Sequence, residues 1–221
     1  MTAGIPSGYQ FLWSRHPQQP YLIVFRVVAE FPVVRDSTPG FDAHGNLTSR
    51  DPGIPLDSYV AEQHLRYRRS WPGTAQQFNS PFISCSKSYK SALRRKDWLL
   101  REGAVRVVIL AYDVSKETTI LDARKLAIGF RLRDPHLYKN EVLLWSKIAA
   151  DDYSLLAVMH ATSGWVTELL TDHGTITVPS DYWSEYGDSE NPLHALRNEL
   201  YHHTGWKNDD RLLWLVQAMM A

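Results

Sequence analysis

Glu141-Val142-Leu143-Leu144-Trp145 sets one carboxylate directly ahead of an apolar run. A stretch this short and this apolar reads as a buried strand, and the strand signal continues to Ile148. Two polar signals of the same kind stand upstream. Arg26 interrupts the β-branched segment Tyr21-Leu22-Ile23-Val24-Phe25-Arg26-Val27-Val28, and Ser84-Cys85-Ser86 follows Pro81-Phe82-Ile83. An arginine, a serine and a glutamate, each on its own strand and in that order, can form a site for an anionic nucleotide. A guanidinium is a planar fork matched to phosphate or carboxylate. Inside an apolar strand Arg26 calls for a partner, either an acidic side chain or a ligand. Ser84 stands where a strand gives way to a helix, so its hydroxyl can cap that helix or bond a ligand sugar. Glu141 can be an edge carboxylate or a functional group.

Working outward, the segment from Phe31 to Leu56 carries four prolines and three glycines with little periodicity, and reads as a long loop. Asp57 or Ser58 can cap a helix running to about Ser70, with Val60, His64 and Tyr67 on one face. Ser86 or Ser88 can cap a second helix that ends at Gly103. Ala104–Tyr112 and Thr118–Leu121 read as strands, and Asp122–Ala127 as one or two helical turns. Beyond Ile148 the pattern changes. Asp151 or Asp152 can cap a helix carrying Leu155, Leu156 and Met159. Asn191-Pro192 starts another that Gly205 ends, and Asn208 can cap a last one with Leu212, Leu215, Val216 and Met219 facing inward. The expected fold class is therefore α+β: a split mixed β-sheet core over residues 1–150 and a mainly helical C-terminal extension over 151–221 packed on it.

The bulk numbers fit a globular protein. The chain has 221 residues, 44% of them hydrophobic and 22% charged, enough to bury a core without staples. Lysine plus arginine equals aspartate plus glutamate at 24 each, so no global field favours nucleic acid or membrane. Cys85 is the only cysteine, which excludes an internal disulfide and fits a reducing compartment. No secretory signal is visible at the start, and no apolar run approaches the roughly 20 residues that span a bilayer. These features suggest an intracellular, cytoplasmic protein without a membrane partner.

Together, Phe25-Arg26-Val27, Phe82-Ile83-Ser84-Cys85-Ser86 and Glu141-Val142-Leu143-Leu144 resemble the ordered signature of ADP-ribosyltransferases of the arginine–serine–glutamate type. The chain is also similar to an uncharacterised fungal domain family with this pattern. The resemblance covers residues 20–148. It implies NAD as a substrate and no metal. Arg26 would bind a phosphate or ribose of NAD, and the Val27 backbone would hold the nicotinamide amide. Ser84 would bond the nicotinamide ribose and help place Glu141, with Ser86 beside it. Tyr89, one turn into the helix after the serine triplet, can stack on nicotinamide or pack in the core, and core packing is the commoner outcome for such a ring. Glu141 would accept from the ribose 2′-hydroxyl and stabilise the oxocarbenium-like centre left by departing nicotinamide. Arginine-modifying members carry Glu or Gln two positions before that glutamate, where this chain has Lys139. The acceptor implied is thus open among protein, nucleic acid, small molecule and water, and a catalytically inactive binding or regulatory module of the same type is the alternative to an enzyme.

The remaining signals are weaker. Arg94, Arg95, Lys96 and Arg101 lie on one helix and Arg66, Arg68 and Arg69 on another, and both sets read first as solvated faces. Glu199, His202 and His203 form one Glu-x-x-His, too little for a bridged metal pair. A single cysteine disfavours structural zinc. Neither a Gly-x-Gly-x-x-Gly nor a Gly-Lys-Ser/Thr phosphate loop is present.

Overall fold

The structure, a computed structural model, describes residues 22–31, 43–55, 57–67, 80–115, 118–160, 166–171, 174–179 and 210–220. These form ten strands and four α-helices: β1 Leu22–Glu30, β2 Leu47–Thr48, α1 Ser58–Tyr67, β3 Phe82–Ser86, α2 Tyr89–Arg101, β4 Arg106–Val114, β5 Ile120–Asp122, α3 Ala123–Gly129, β6 Glu141–Trp145, β7 Lys147–Ile148, β8 Tyr153–His160, β9 Val166–Thr171, β10 Gly174–Pro179 and α4 Asp210–Met220. The α+β class is as the sequence suggested. No described helix is long and apolar enough to cross a membrane.

The chain forms two compact units that interleave in sequence. The first holds β2, α1, β3, β5, α3, β6 and β7. Its strands run in the order β3-β6-β5, with β2 paired to β7 alongside. β6 is antiparallel to both neighbours, with Phe82 opposite Trp145, Ser84 opposite Leu143 and Ser86 opposite Glu141. Because strand side chains alternate, Phe82, Ser84 and Ser86 share one face with Trp145, Leu143 and Glu141. That face is apolar at the Phe82–Trp145 end and polar at the Ser86–Glu141 end. Phe82 and Leu143 join Ala61 and Leu65 of α1 and Leu126 and Ala127 of α3 in one buried cluster.

The second unit holds β1, α2, β4, β9, β10, α4 and nearly all of β8, with strand order β10-β9-β8-β4-β1. β1 and β4 pair along their whole length, antiparallel, with Arg26 opposite Leu110 and Phe25 opposite Ala111. One face of β1 carries Ile23 and Phe25 into a core with Tyr89, Ala92, Ile109, Met159, Leu215 and Val216. Alternation puts Arg26 on the other face.

Two expectations are corrected here. Tyr153–His160 is strand β8, not helix, and β9 and β10 follow it, so the described part of 151–221 is largely sheet. Leu155, Leu156 and Met159 fit a helical spacing, but pairing with β9 (Ala157 opposite Leu169, Met159 opposite Thr167) decides the conformation. Next, the strand expected over 141–148 is broken at Ser146, whose φ of 65° is left-handed and separates β6 from β7. The Asn191–Gly205 helix, the Asn208 cap and the Glu199–His202–His203 set lie outside the described residues.

Candidate active site around Ser84 and Glu141

α1 begins as its sequence dictates. Asp57 Oδ1 accepts from the Val60 N–H at 2.8 Å, a side-chain cap on the first turn. Ala61 and Leu65 then face the cluster, and Glu62 pairs with Arg66 one turn on. His64 shares the helix with them, and its ring stands edge-on to Phe82, 5.3 Å between centroids. That packing places both ring nitrogens. Nδ1 lies 2.7 Å from Ser80 Oγ, and Nε2 lies 2.8 Å from Ser84 Oγ.

The column Ser80–His64–Ser84 restricts where protons sit. Ser80 Oγ already accepts from the Phe82 N–H at 3.1 Å. In one tautomer Ser80 donates to Nδ1, Nε2–H donates to Ser84, and the Ser84 hydrogen remains available for an acceptor beyond it. In the other, Ser84 donates to Nε2 and keeps its lone pairs for a donor. Either arrangement fixes the Ser84 hydroxyl through a rigid ring.

Glu141 is 4% exposed, at the start of the central strand of its unit. The ladder continues past it, as the Lys87 N–H donates to the Asn140 carbonyl at 2.7 Å. Upstream, the 3-10 turn Pro135–Tyr138 is tied to α1 by Tyr138 Oη, which donates to the Leu65 carbonyl at 2.9 Å. The backbone entering Glu141 and the helix carrying His64 are thus held by one bond. Asp122 caps α3 by accepting from the Lys125 N–H at 3.0 Å, and lies 3.7 Å from Lys87 Nζ. Lys139 is exposed.

Of the residues singled out from sequence, Ser84, Ser86 and Glu141 fall in the first unit, on one sheet face. Arg26, Val27 and Tyr89 belong to the second. Arg26 is 4% exposed in a strand of otherwise apolar buried neighbours. The Tyr89 ring packs against Phe25, 5.4 Å between centroids, within the core on the β1 face opposite Arg26. It is a core side chain, and burial pushes its hydroxyl up to about 12. The α2 cations also have local roles. Arg95 lies over the Trp98 ring at 4.1 Å and is pushed down to about 10 by burial, and Lys96 pairs with Asp97 at 2.9 Å. Ser88, not Ser86, occupies the N-cap of α2, without a side-chain capping bond.

His64 is the residue whose role the sequence did not disclose. Its only local signal was a place on the α1 face with Val60. The two serines it joins lie 16 and 20 residues away and meet it only through the packing of α1 on β3. Among the described residues, no three His, Cys, Asp or Glu side chains gather as a metal site.

No protein-family model matches the chain, and no curated protein matches it. Among solved structures, a chain titled EcPltA is similar at a TM-score of 0.40 and 12% identity, over 72% of this chain and 83% of that one.

Proposed function

We propose that the protein cleaves NAD at the nicotinamide–ribose bond and transfers ADP-ribose to an acceptor, or to water. The observation that supports this reading most is the shared sheet face of Ser84, Ser86 and Glu141, with Ser84 held by His64. Loss of nicotinamide leaves positive charge on the ribose C1′ and ring oxygen. A carboxylate fixed beside that centre lowers the barrier, because its charge is set before the reaction and needs no reorganisation. Glu141 would take this role and accept from the ribose 2′-hydroxyl. Ser84 would bond the nicotinamide ribose, oriented by His64. Arg26 would bind an NAD phosphate, and the Val27 backbone the nicotinamide amide, as the resemblance implies. Lys139 is exposed, and in this reading it would bear on which acceptor is used.

The test is nicotinamide release from NAD by the full chain. Wild type is expected to release it, with a KM for NAD that rises in Arg26→Ala. Ser84→Ala is expected to lower the rate roughly tenfold or more, as loss of one positioned hydroxyl does. NAD binding in calorimetry without any release would support the inactive module instead. No release and no binding would support that module more strongly still, as a regulatory one that keeps the fold without the chemistry.

A further inference from the structure

α2 and α3 end in the same way and with different residues. In α2 the Ala104 N–H donates to the Leu99 carbonyl and the Gly103 N–H to Leu100, with Gly103 at φ 91°. In α3 the Leu132 N–H donates to Ala127 and the Arg131 N–H to Ile128, with Arg131 at φ 54°. This closure requires a left-handed residue, and glycine is its usual occupant. α3 holds an arginine there, and Asp134, at φ 58°, is left-handed as well. A side chain kept where glycine would be easier points to a function for that side chain.

The surroundings of Arg131 say which. Ala123, Leu126, Ala127, Leu132 and Tyr138 are buried together with Phe130 packed against them, so the exposed side chains of residues 123–139 form the outer side of one layer. That outer side carries Arg124, Lys125, Arg131, Arg133 and Lys139, all exposed, against the single carboxylate of Asp134. Asp134 lies 3.6 Å from Arg133. Among the described residues, no carboxylate pairs with the other four cations. The chain as a whole is balanced, 24 against 24, so this is a local excess. Among these cations Ile128 is 54% and Leu137 62% exposed.

We infer that the outer side of α3 and the following 3-10 turn is a docking surface for an acidic protein segment that also carries apolar side chains. Charge complementarity selects the acidic partner, since Arg124, Lys125, Arg131 and Lys139, which no described carboxylate pairs with, attract and orient a negatively charged surface. The aliphatic side chains select protein over nucleic acid. Ile128 and Leu137 gain from apolar contact inside a charged rim, as at protein interfaces. Single-stranded nucleic acid is held instead by aromatic stacking; here Tyr138 is buried, Phe130 packs against the cluster under α3, and His136 is the one exposed ring beside two exposed aliphatic side chains.

Binding is measured by fluorescence anisotropy on the full chain without NAD, so its result is independent of the assignment of Glu141. The probes are labelled 12-residue peptides, one repeating Glu-Glu-Leu and one all-glutamate, and a labelled 12-nucleotide thymidine strand. The Glu-Glu-Leu peptide is expected to bind more tightly than the other two, and more weakly as salt rises. Arg124→Gln combined with Arg131→Gly is expected to weaken it about fivefold, while the melting temperature does not fall, because glycine suits the left-handed position. Leu137→Ser is expected to weaken the Glu-Glu-Leu peptide and leave the all-glutamate peptide unchanged. Equal or tighter binding of the thymidine strand would overturn the inference in favour of nucleic acid. Absence of binding, or binding unaffected by either variant, would overturn it outright.

Discussion

The two compact units bury different chemistry. In the second, the face of β1 that holds Phe25 packs against Ile109, Met159 and Leu215, with Tyr89 contributing its ring. In the first, Phe82 and Leu143 are buried beside a column of hydrogen-bonded polar groups, buried Ser80 and half-buried His64 and Ser84, and the buried carboxylate of Glu141. An apolar core needs no such column to fold. Buried polar groups raise the stakes of every missing bond, and their concentration on one sheet face is what a reactive site requires. The second unit buries Arg26 and Thr167 as polar side chains, Arg26 as a cation on the face of β1 away from that core.

This contrast can be broken in order of effect. Phe25→Ala removes a fully buried ring from the second unit and is expected to cost about 3–5 kcal/mol in chemical denaturation. A cost below about 1 kcal/mol would mean that this core does not carry the stability assigned to it. Tyr89 supplies a pH signature. Its hydroxyl is pushed up to about 12 from 10.0, so the folded state favours the neutral phenol. The stabilisation is fully present below pH 10 and is lost as pH rises from 10 through about 12, by roughly 2–3 kcal/mol. Tyr89→Phe is expected to flatten this alkaline loss, and a denaturation series with an unchanged slope in the variant would contradict the assignment. His64→Ala strands Ser80 and Ser84 and is expected to cost about 1–3 kcal/mol. His64→Ala should also lower nicotinamide release, whereas Phe25→Ala should not at temperatures where it is folded. Equal activity losses in the two would erase the distinction between the units. The smallest effect is Asp57→Ala, expected to cost about 1 kcal/mol through loss of the α1 cap, read as a shift of the unfolding midpoint.

The sequence disclosed what local pattern can carry. Strands β1, β3, β4 and β6 announce themselves through β-branched and apolar runs, and α2 ends at Gly103 as its glycine signals. Ser84 and Glu141 were legible because each is a polar residue beside an apolar run. Tertiary pairing was not legible. β8 carries a helical spacing and becomes strand because β9 lies beside it. β2 is two residues inside a segment that reads as loop, formed only because β7 pairs with it. Tyr89, after the serine triplet, read either as a ligand platform or as a core ring, and only Phe25, remote in sequence, shows which core takes it. His64 is the converse, an ordinary helix residue whose meaning comes from two distant hydroxyls.

The central claim is that Glu141 is present for chemistry rather than for packing. Glu141→Gln keeps the shape of the side chain and removes the charge. The direct measurement is nicotinamide release by Glu141→Gln beside wild type, with a thermal melt of each. A wild-type activity that falls on the order of a hundredfold or more in the variant, with the fold retained, is the predicted result. Equal release from both proteins would contradict it.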